Sequence, residues 1–273
     1  MERKGSDIGY SSIDKVKQIL NCFSCNKPNL TVHQIAKQVD IPMSSLYRYL
    51  QSLVSAKFLS HNKSMNTYSL GTYMIEMAGI SLMQYEIRYA ALPEMNELSA
   101  KSNMNVNLSI LDGCDVFHLA YSIRYFSTPW IDAIGRRTPA YQTAMGLSML
   151  AFQPFEDVRM IIEQANAESP STYPLPDFDD LKKNLEIIRQ KQIAIAKHEN
   201  QNNYNYNAAV CMACPVRRKN SEICAAISVN WYEGTDRSTY EKAFAPVQPL
   251  LIQTAANISY KLGYVGRSYG SPF

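Results

Sequence analysis

The sequence predicts an α+β protein in two modules: a winged helix-turn-helix head, joined by a linker helix to a larger body in which helices flank a sheet. Three observations carry that prediction. Residues 12–72 read as three short helices followed by a hairpin. Residues 90–273 mix alternating strands with helical periodicities. Basic charge is concentrated in the first module.

Length and composition set the frame. A chain of 273 residues suggests about two domains. Its 46% hydrophobic content is enough to build cores and argues against wholesale disorder. No run of about 18 apolar residues occurs, so no membrane span is expected. "MERKGSDIGYSS" has no apolar core of a secretory signal, so a cytoplasmic location is expected. Residues 1–70 hold nine Lys/Arg against four Asp/Glu, a net of +5. The remainder holds 18 bases and 20 acids, a net of −2. That asymmetry points to a polyanion partner for the head alone.

The elements follow in order. After a tail over residues 1–11, residues 12–25 read as a first helix, with Ser11 or Ser12 as its cap and Ile13, Val16, Ile19, Leu20 and Phe23 at helical spacing. "NKPN" breaks it, and Thr31 caps a second helix, "VHQIAKQV". Pro42 suits the first position of a third helix, "IPMSSLYRYLQSLVSAKFL", which buries Leu46, Leu50 and Leu53. Two runs near Phe58–Ser60 and Thr67–Leu70 flank a polar hairpin tip. Long helical periodicity interrupted by Pro93 reads as a linker helix over residues 73–89, followed by the first helix of the body, which spans 90–273. There, "MNVNLSILDG" and "CDVFHLAYSI" are strands joined at Asp112-Gly113. "TPAYQTAMGLSMLAF" turns helical after Tyr141, and "FEDVRMIIEQA" and "LKKNLEIIRQKQ" are helices. "IAIAKHE", "AAVCMACPVRR" and "EICAAISVNWY" are strands before a C-terminal helix.

The third helix carries the clearest chemistry. Its outward face shows Met43, Ser44, Ser45, Tyr47, Arg48 and Gln51, with almost no acid. A recognition helix needs one aliphatic face to dock on its own domain and another of small polar and basic groups to enter the major groove. Arg48 can reach a guanine edge or a phosphate, and Lys63 on the hairpin can add sequence-independent attraction. Thr31, at the start of the second helix, completes the candidate DNA-binding set. The alternative is a solvated helical face bearing one Arg.

Cys22/Cys25 and Cys211/Cys214 form two CxxC pairs, but no Cys or His pair follows the first at zinc-finger spacing. Residues three apart on a strand, as in the second, face opposite sides. Six reduced thiols and no metal or cofactor are therefore expected. GxSxG, GxGxxG, P-loop and HExxH motifs are absent, so an enzyme is not expected. A small-molecule enzyme with a helical accessory module, or an adaptor that uses the helix-turn-helix without DNA, stands as the alternative. His118 and His198 read as structural or incidental.

The order "ILNCF…LTVHQIAKQVDIPMSSLYRYLQSLVSAKFLSHN…TYSLG" resembles the DNA-binding half of the IclR family of bacterial transcriptional regulators. "GRRTPAYQTAMGLSMLAF", "IRQKQIAIAKHE" and "CMACPVRRKNSEICAAISV" resemble three segments of that family's second half, so the likeness runs from about Ile13 to Leu262. It implies a sequence-specific regulator acting on a double-stranded operator, a dimerising linker helix, and a GAF-like effector-binding domain with a curved sheet. It also implies a homo-oligomer, dimer or dimer of dimers, and an effector drawn from organic acids or aromatic-pathway metabolites. Matching positions put the effector beside Gly135, Thr143, Ala144, Gly146, Glu199, Cys211, Ser228 and Asn230. Backbone N–H groups near Thr143 suit a carboxylate, and Ser228 and Asn230, two apart on a strand, share a face. Plain core packing is the competing reading of "TAMG" and these strands. Departures include Leu147 in place of the family's lysine and a longer, Asn/Tyr-rich segment over residues 200–207, which is either a lid or a surface insertion.

Overall fold

The computed structural model describes residues 11–24, 26–124, 134–168, 175–199, 208–232 and 239–266. The chain divides into two compact units, Met1–Gln84 and Tyr85–Phe273.

The first unit is built from α1 (Ser12–Asn21), α2 (Val32–Ala36), α3 (Met43–Ser55), the hairpin β1 (Leu59–Asn62) and β2 (Thr67–Leu70), and α4 (Thr72–Met83). Ser11 and Asp14 form a reciprocal cap on α1, and Thr31 and Gln34 do the same on α2. α1 is shorter than the expected 12–25. It ends at Asn21 because a tight turn follows, in which Ser24 and Lys27 exchange two backbone hydrogen bonds. Cys25 lies outside the described residues. Pro42 takes the capping position rather than the first helical one, with an extended ψ of 140°. Ile19, Ile35, Leu46, Leu50, Leu53 and Leu59 close one core. After α3, Lys57 adopts a left-handed conformation and the hairpin returns to it. A Cβ on Gly71 would stand 2.1 Å from the Lys57 carbonyl oxygen, so only glycine permits this return.

The expected linker helix divides differently. α4 stops at Met83, and α5 (Glu86–Ser102) passes straight through Pro93. Burial explains both. Ile87, Ala91, Met95 and Leu98 recur at helical spacing and are buried, whereas Pro93 lies on the exposed side. The Tyr89 carbonyl that Pro93 leaves unbonded is therefore within reach of water. α4 has no buried residue at all.

The second unit folds around a six-stranded antiparallel sheet in the order β5-β4-β3-β8-β7-β6. Its strands are β3 (Asn105–Asp112), β4 (Asp115–Ser122), β5 (Arg137–Pro139), β6 (Ala194–Glu199), β7 (Ala208–Arg217) and β8 (Ile223–Tyr232). The β3–β4 loop is Gly113-Cys114, one residue later than expected, with Gly113 at φ +63°. One face carries Val106, Leu108, Met212, Val216, Ile227 and Val229, all buried, under α5 and α10 (Gln248–Lys261). These two helices are tied by Glu94, which pairs with Lys261 at 2.7 Å and accepts from Asn257 at 2.9 Å. The opposite face packs on α6 (Ala144–Leu150), α7 (Phe155–Glu168) and α8 (Phe178–Lys191) through Ala213, Ala226, Leu150, Val158 and Leu185. α9 (Tyr240–Phe244) precedes α10.

Candidate DNA interface and effector site

α3 divides sharply between its faces. Leu46, Leu50 and Leu53 are buried, while Met43, Ser44, Tyr47, Arg48 and Gln51 are exposed and Ser45 is half-buried. No acidic side chain stands on this helix. The exposed row follows from spacing: the leucines recur at intervals of four and three, so the polar set takes the far side. Thr31 is engaged otherwise. Its hydroxyl accepts from the Gln34 N–H at 3.3 Å and donates to Gln34 Oε1 at 3.1 Å, so its local task is to cap α2.

The hairpin tip is held by its own side chains. Asn62 Oδ1 accepts from the Ser64 N–H, the Ser64 hydroxyl and the Met65 N–H. The His61 ring stacks on Tyr68 at 4.4 Å, and its Nε2 lies 3.2 Å from Asn66 Oδ1. Lys63 and Met65 are thereby presented to solvent on a braced turn.

In the second unit, three of the predicted effector residues share one sheet face. Cys211 is directly opposite Asn230 across β7 and β8, and Ser228 is two residues from Asn230. This is the face on which α6 packs, because Ala213 and Ala226, of the same alternation, belong to the α6 core. Thr143, Ala144 and Gly146 are buried at the start of α6. Thr143 Oγ1 accepts from the Gly146 N–H at 2.9 Å, so one of the backbone donors expected to meet a carboxylate is already used. Gly146 is also a packing residue: a Cβ there would fall 2.0 Å from the Ala140 carbonyl oxygen. Gly135 is set apart. It is exposed at φ +87°, beyond β4, and donates its N–H to the His118 carbonyl. Glu199 pairs with Ala208 at the end of β6, and its side chain lies outside the described residues, as do residues 200–207.

The same face holds residues that were not foreseen. Asn107 stands directly opposite Ser228, and Asn105 opposite Asn230. Ser109 follows, its hydroxyl 3.1 Å from His118 Nδ1 on β4. Burial first, and the Arg136 charge second, hold the His118 imidazole down at about 4, so it is neutral near pH 7. The signal was present in "NVNLS", where Asn105, Asn107 and Ser109 alternate with Val106 and Leu108. A polar stripe on a strand whose other stripe is aliphatic marks a distinct surface. Among the described residues, Asn107 Oδ1, Ser228 Oγ and Asn230 Oδ1 on this face are buried and have no hydrogen-bond partner. Buried polar atoms are ordinarily paired, so three neighbours left open are an unusual cost to the fold.

Comparison with known proteins bears on both regions. The helix-turn-helix domain of IclR matches residues 12–63, and the bacterial transcriptional regulator IclR C-terminal domain matches residues 80–260. The chain belongs to the IclR family. It is 28% identical over 256 residues to the HTH-type transcriptional regulator KipR of Bacillus subtilis, covering 93% of this chain and 97% of that protein. The IclR crystal structure from Thermotoga maritima aligns at a TM-score of 0.72 with 25% identity, covering 93% of this chain and 99% of that one. An IclR homologue from Microbacterium hydrocarbonoxydans, solved with 4-hydroxybenzoate, aligns at 0.71 with 20% identity, covering 92% and 99%. This IclR-family chain is thus a helix-turn-helix transcriptional regulator with an α+β effector-type second domain, and its relatives are regulators rather than enzymes. Among the described residues, no helix is long and apolar enough to cross a membrane, and no cluster of three metal-ligating side chains occurs.

Proposed function

We propose that this regulator acts in the cytoplasm as a dimer or dimer of dimers, reads a double-stranded operator with α3, and changes its DNA affinity when an effector occupies the α6-side face of the sheet. The observation that carries the DNA reading is the division of α3. Three leucines are buried, and Ser44, Tyr47, Arg48 and Gln51 stand exposed on a helix that carries no acid. Arg48 and Gln51 have the reach for base edges, and Ser44, Ser45 and Lys63 suit phosphates.

The assembly reading rests on α4. Ile75 is 74% exposed, Met83 69% and Ile80 55%, on a helix whose one charged residue is Glu76. A helix this apolar with nothing buried is suited to meet its counterpart in a second copy. Dimerisation would set the spacing of two α3 helices, and an effector would shift that spacing through unequal affinity for two arrangements. The effector reading rests on the unpaired Asn107, Ser228 and Asn230 atoms, with Cys211 directly opposite Asn230 and α6, which Thr143 caps, packed on the same sheet face.

Footprinting on DNA selected from a random pool tests the proposal. The expected result is two protected half-sites whose centres are about 34 Å apart, or a multiple of that, on one face of the duplex. A Ser228→Leu variant should keep the footprint and lose its response to small molecules. A full response in that variant would remove the sheet face from consideration.

A further inference from the structure

We infer that the sheet floor formed by Asn107, Ser228 and Asn230 selects an effector through its uncharged hydroxyl or amide groups, and that Asn107 on β3 is a specificity-determining residue. This rests on the reading of the α6-side face as the effector site.

The three side chains are 2%, 0% and 5% exposed, yet each keeps an open polar atom. Asn107 and Ser228 are direct partners in the β3–β8 ladder, where side chains on one face stand about 5 Å apart. Asn230 is the next residue on that face of β8, and its amide also lies 3.4 Å from the Tyr232 hydroxyl. A buried anion needs a cation or several N–H donors to offset its desolvation. The open atoms of Asn107 and Asn230 are carbonyl oxygens, which accept from a hydroxyl or amide donor and repel a carboxylate, and the imidazole beside them is neutral. A hydroxyl or carboxamide both donates and accepts, and so satisfies Ser228 and an amide in either orientation. A carboxylate only accepts. Arg136, whose charge acts on His118, is joined to the β4 margin by the His118 N–H to Arg136 carbonyl bond. An acid group on the effector would therefore sit towards that margin, with its hydroxyl or amide portion on the floor.

The test uses the full chain and matched probes on short aliphatic and single-ring skeletons: propionate, lactate and lactamide; benzoate, 4-hydroxybenzoate and 4-hydroxybenzamide. Calorimetric titration and thermal shift read the affinities. The expected result is that hydroxylated members bind about tenfold or more tightly than the plain carboxylate, since an unfilled floor leaves buried polar atoms open. In Asn107→Ala that preference should shrink to about twofold. Asn230→Ser serves as a second variant should Asn107→Ala fold poorly, because the smaller hydroxyl withdraws the amide without adding charge. A plain carboxylate that binds as tightly as its hydroxylated partner overturns the inference. So does an unchanged preference in both variants, and so does a wild type that binds no probe. Ser228→Leu separates the two levels. If it leaves probe binding intact, the site reading itself fails. If it abolishes binding while the wild type is indifferent to hydroxyls, only the neutral-floor inference fails.

Discussion

Replacing Gly146 with Ala adds one methyl group at a position where the backbone leaves no room. The new Cβ would stand 2.0 Å from the Ala140 carbonyl oxygen and 2.6 Å from its carbonyl carbon and Cα. All three are backbone atoms of the turn that leads into α6, so no flexible side chain can yield. Either α6 or the Ala140–Gln142 turn must move, and both are packed in the core that contains Ala140, Tyr141, Met145 and Leu150. Overpacking of this kind costs about 1–3 kcal/mol, and a backbone clash belongs at the upper end. For a unit of this size, each kcal/mol lowers Tm by about 2–4 °C, so a fall of about 6–12 °C is expected by calorimetry. Gly79→Ala is the internal control. Within the chain nothing lies within 4 Å of its added Cβ, so no intrachain clash opposes the gain in helix propensity, and in the monomer the change is neutral or stabilising by up to about 1 kcal/mol. A Gly146→Ala protein melting within about 1 °C of the wild type would refute the close-approach argument. It would also return Gly146 to the status of a ligand contact.

Three other outcomes are expected. Glu94 is held below its ordinary value of 4.5: burial works to raise it, and hydrogen bonds from Lys261 and Asn257 with the Lys261 and Lys101 charges outweigh burial. A depressed folded value means that the contribution is complete above the unfolded value and lost as pH falls through the folded one. The Tm gap between wild type and Glu94→Gln should therefore be constant near neutrality and narrow below about pH 4.5; a gap that widens in acid would contradict the assignment. Ile80→Lys on α4 should shift the protein towards monomer in analytical ultracentrifugation, and an unchanged sedimentation profile would remove α4 from the interface. Lys63→Ala should weaken binding to all DNA sequences alike and reduce the salt slope of log K by about one, whereas a sequence-dependent loss would mean that Lys63 reads bases.

Much of the head was legible because its signals are local. Thr31 with Gln34 three residues on, Pro42 before α3, and Leu46, Leu50 and Leu53 on one stripe each depend on a handful of neighbouring residues. The boundary after α4 was misplaced because Pro93 is a strong local breaker, and only burial of Ile87, Ala91 and Met95 keeps α5 continuous through it. That information is tertiary. The sheet face was half legible. Cys211, Ser228 and Asn230 were singled out, and β7–β8 pairing does bring them together. Asn107 was overlooked although its alternation with Val106 and Leu108 was in plain view, since its significance appears only when β3 is paired with β8. Gly135 shows the converse. Its positive φ serves a turn, and it stands beyond β4 rather than with Ser228.

The most direct test of the central claim compares the wild-type chain with Arg48→Ala in selection from a pool of random duplexes, followed by affinity measurement at fixed salt. The wild type is expected to enrich a site with two-fold symmetry. Arg48→Ala should bind that site at least about tenfold more weakly and accept substitutions at the position Arg48 reads, as loss of a base contact worth about 1–3 kcal/mol requires. Enrichment of the same site with undiminished affinity by Arg48→Ala would contradict the assignment of α3 as the recognition helix.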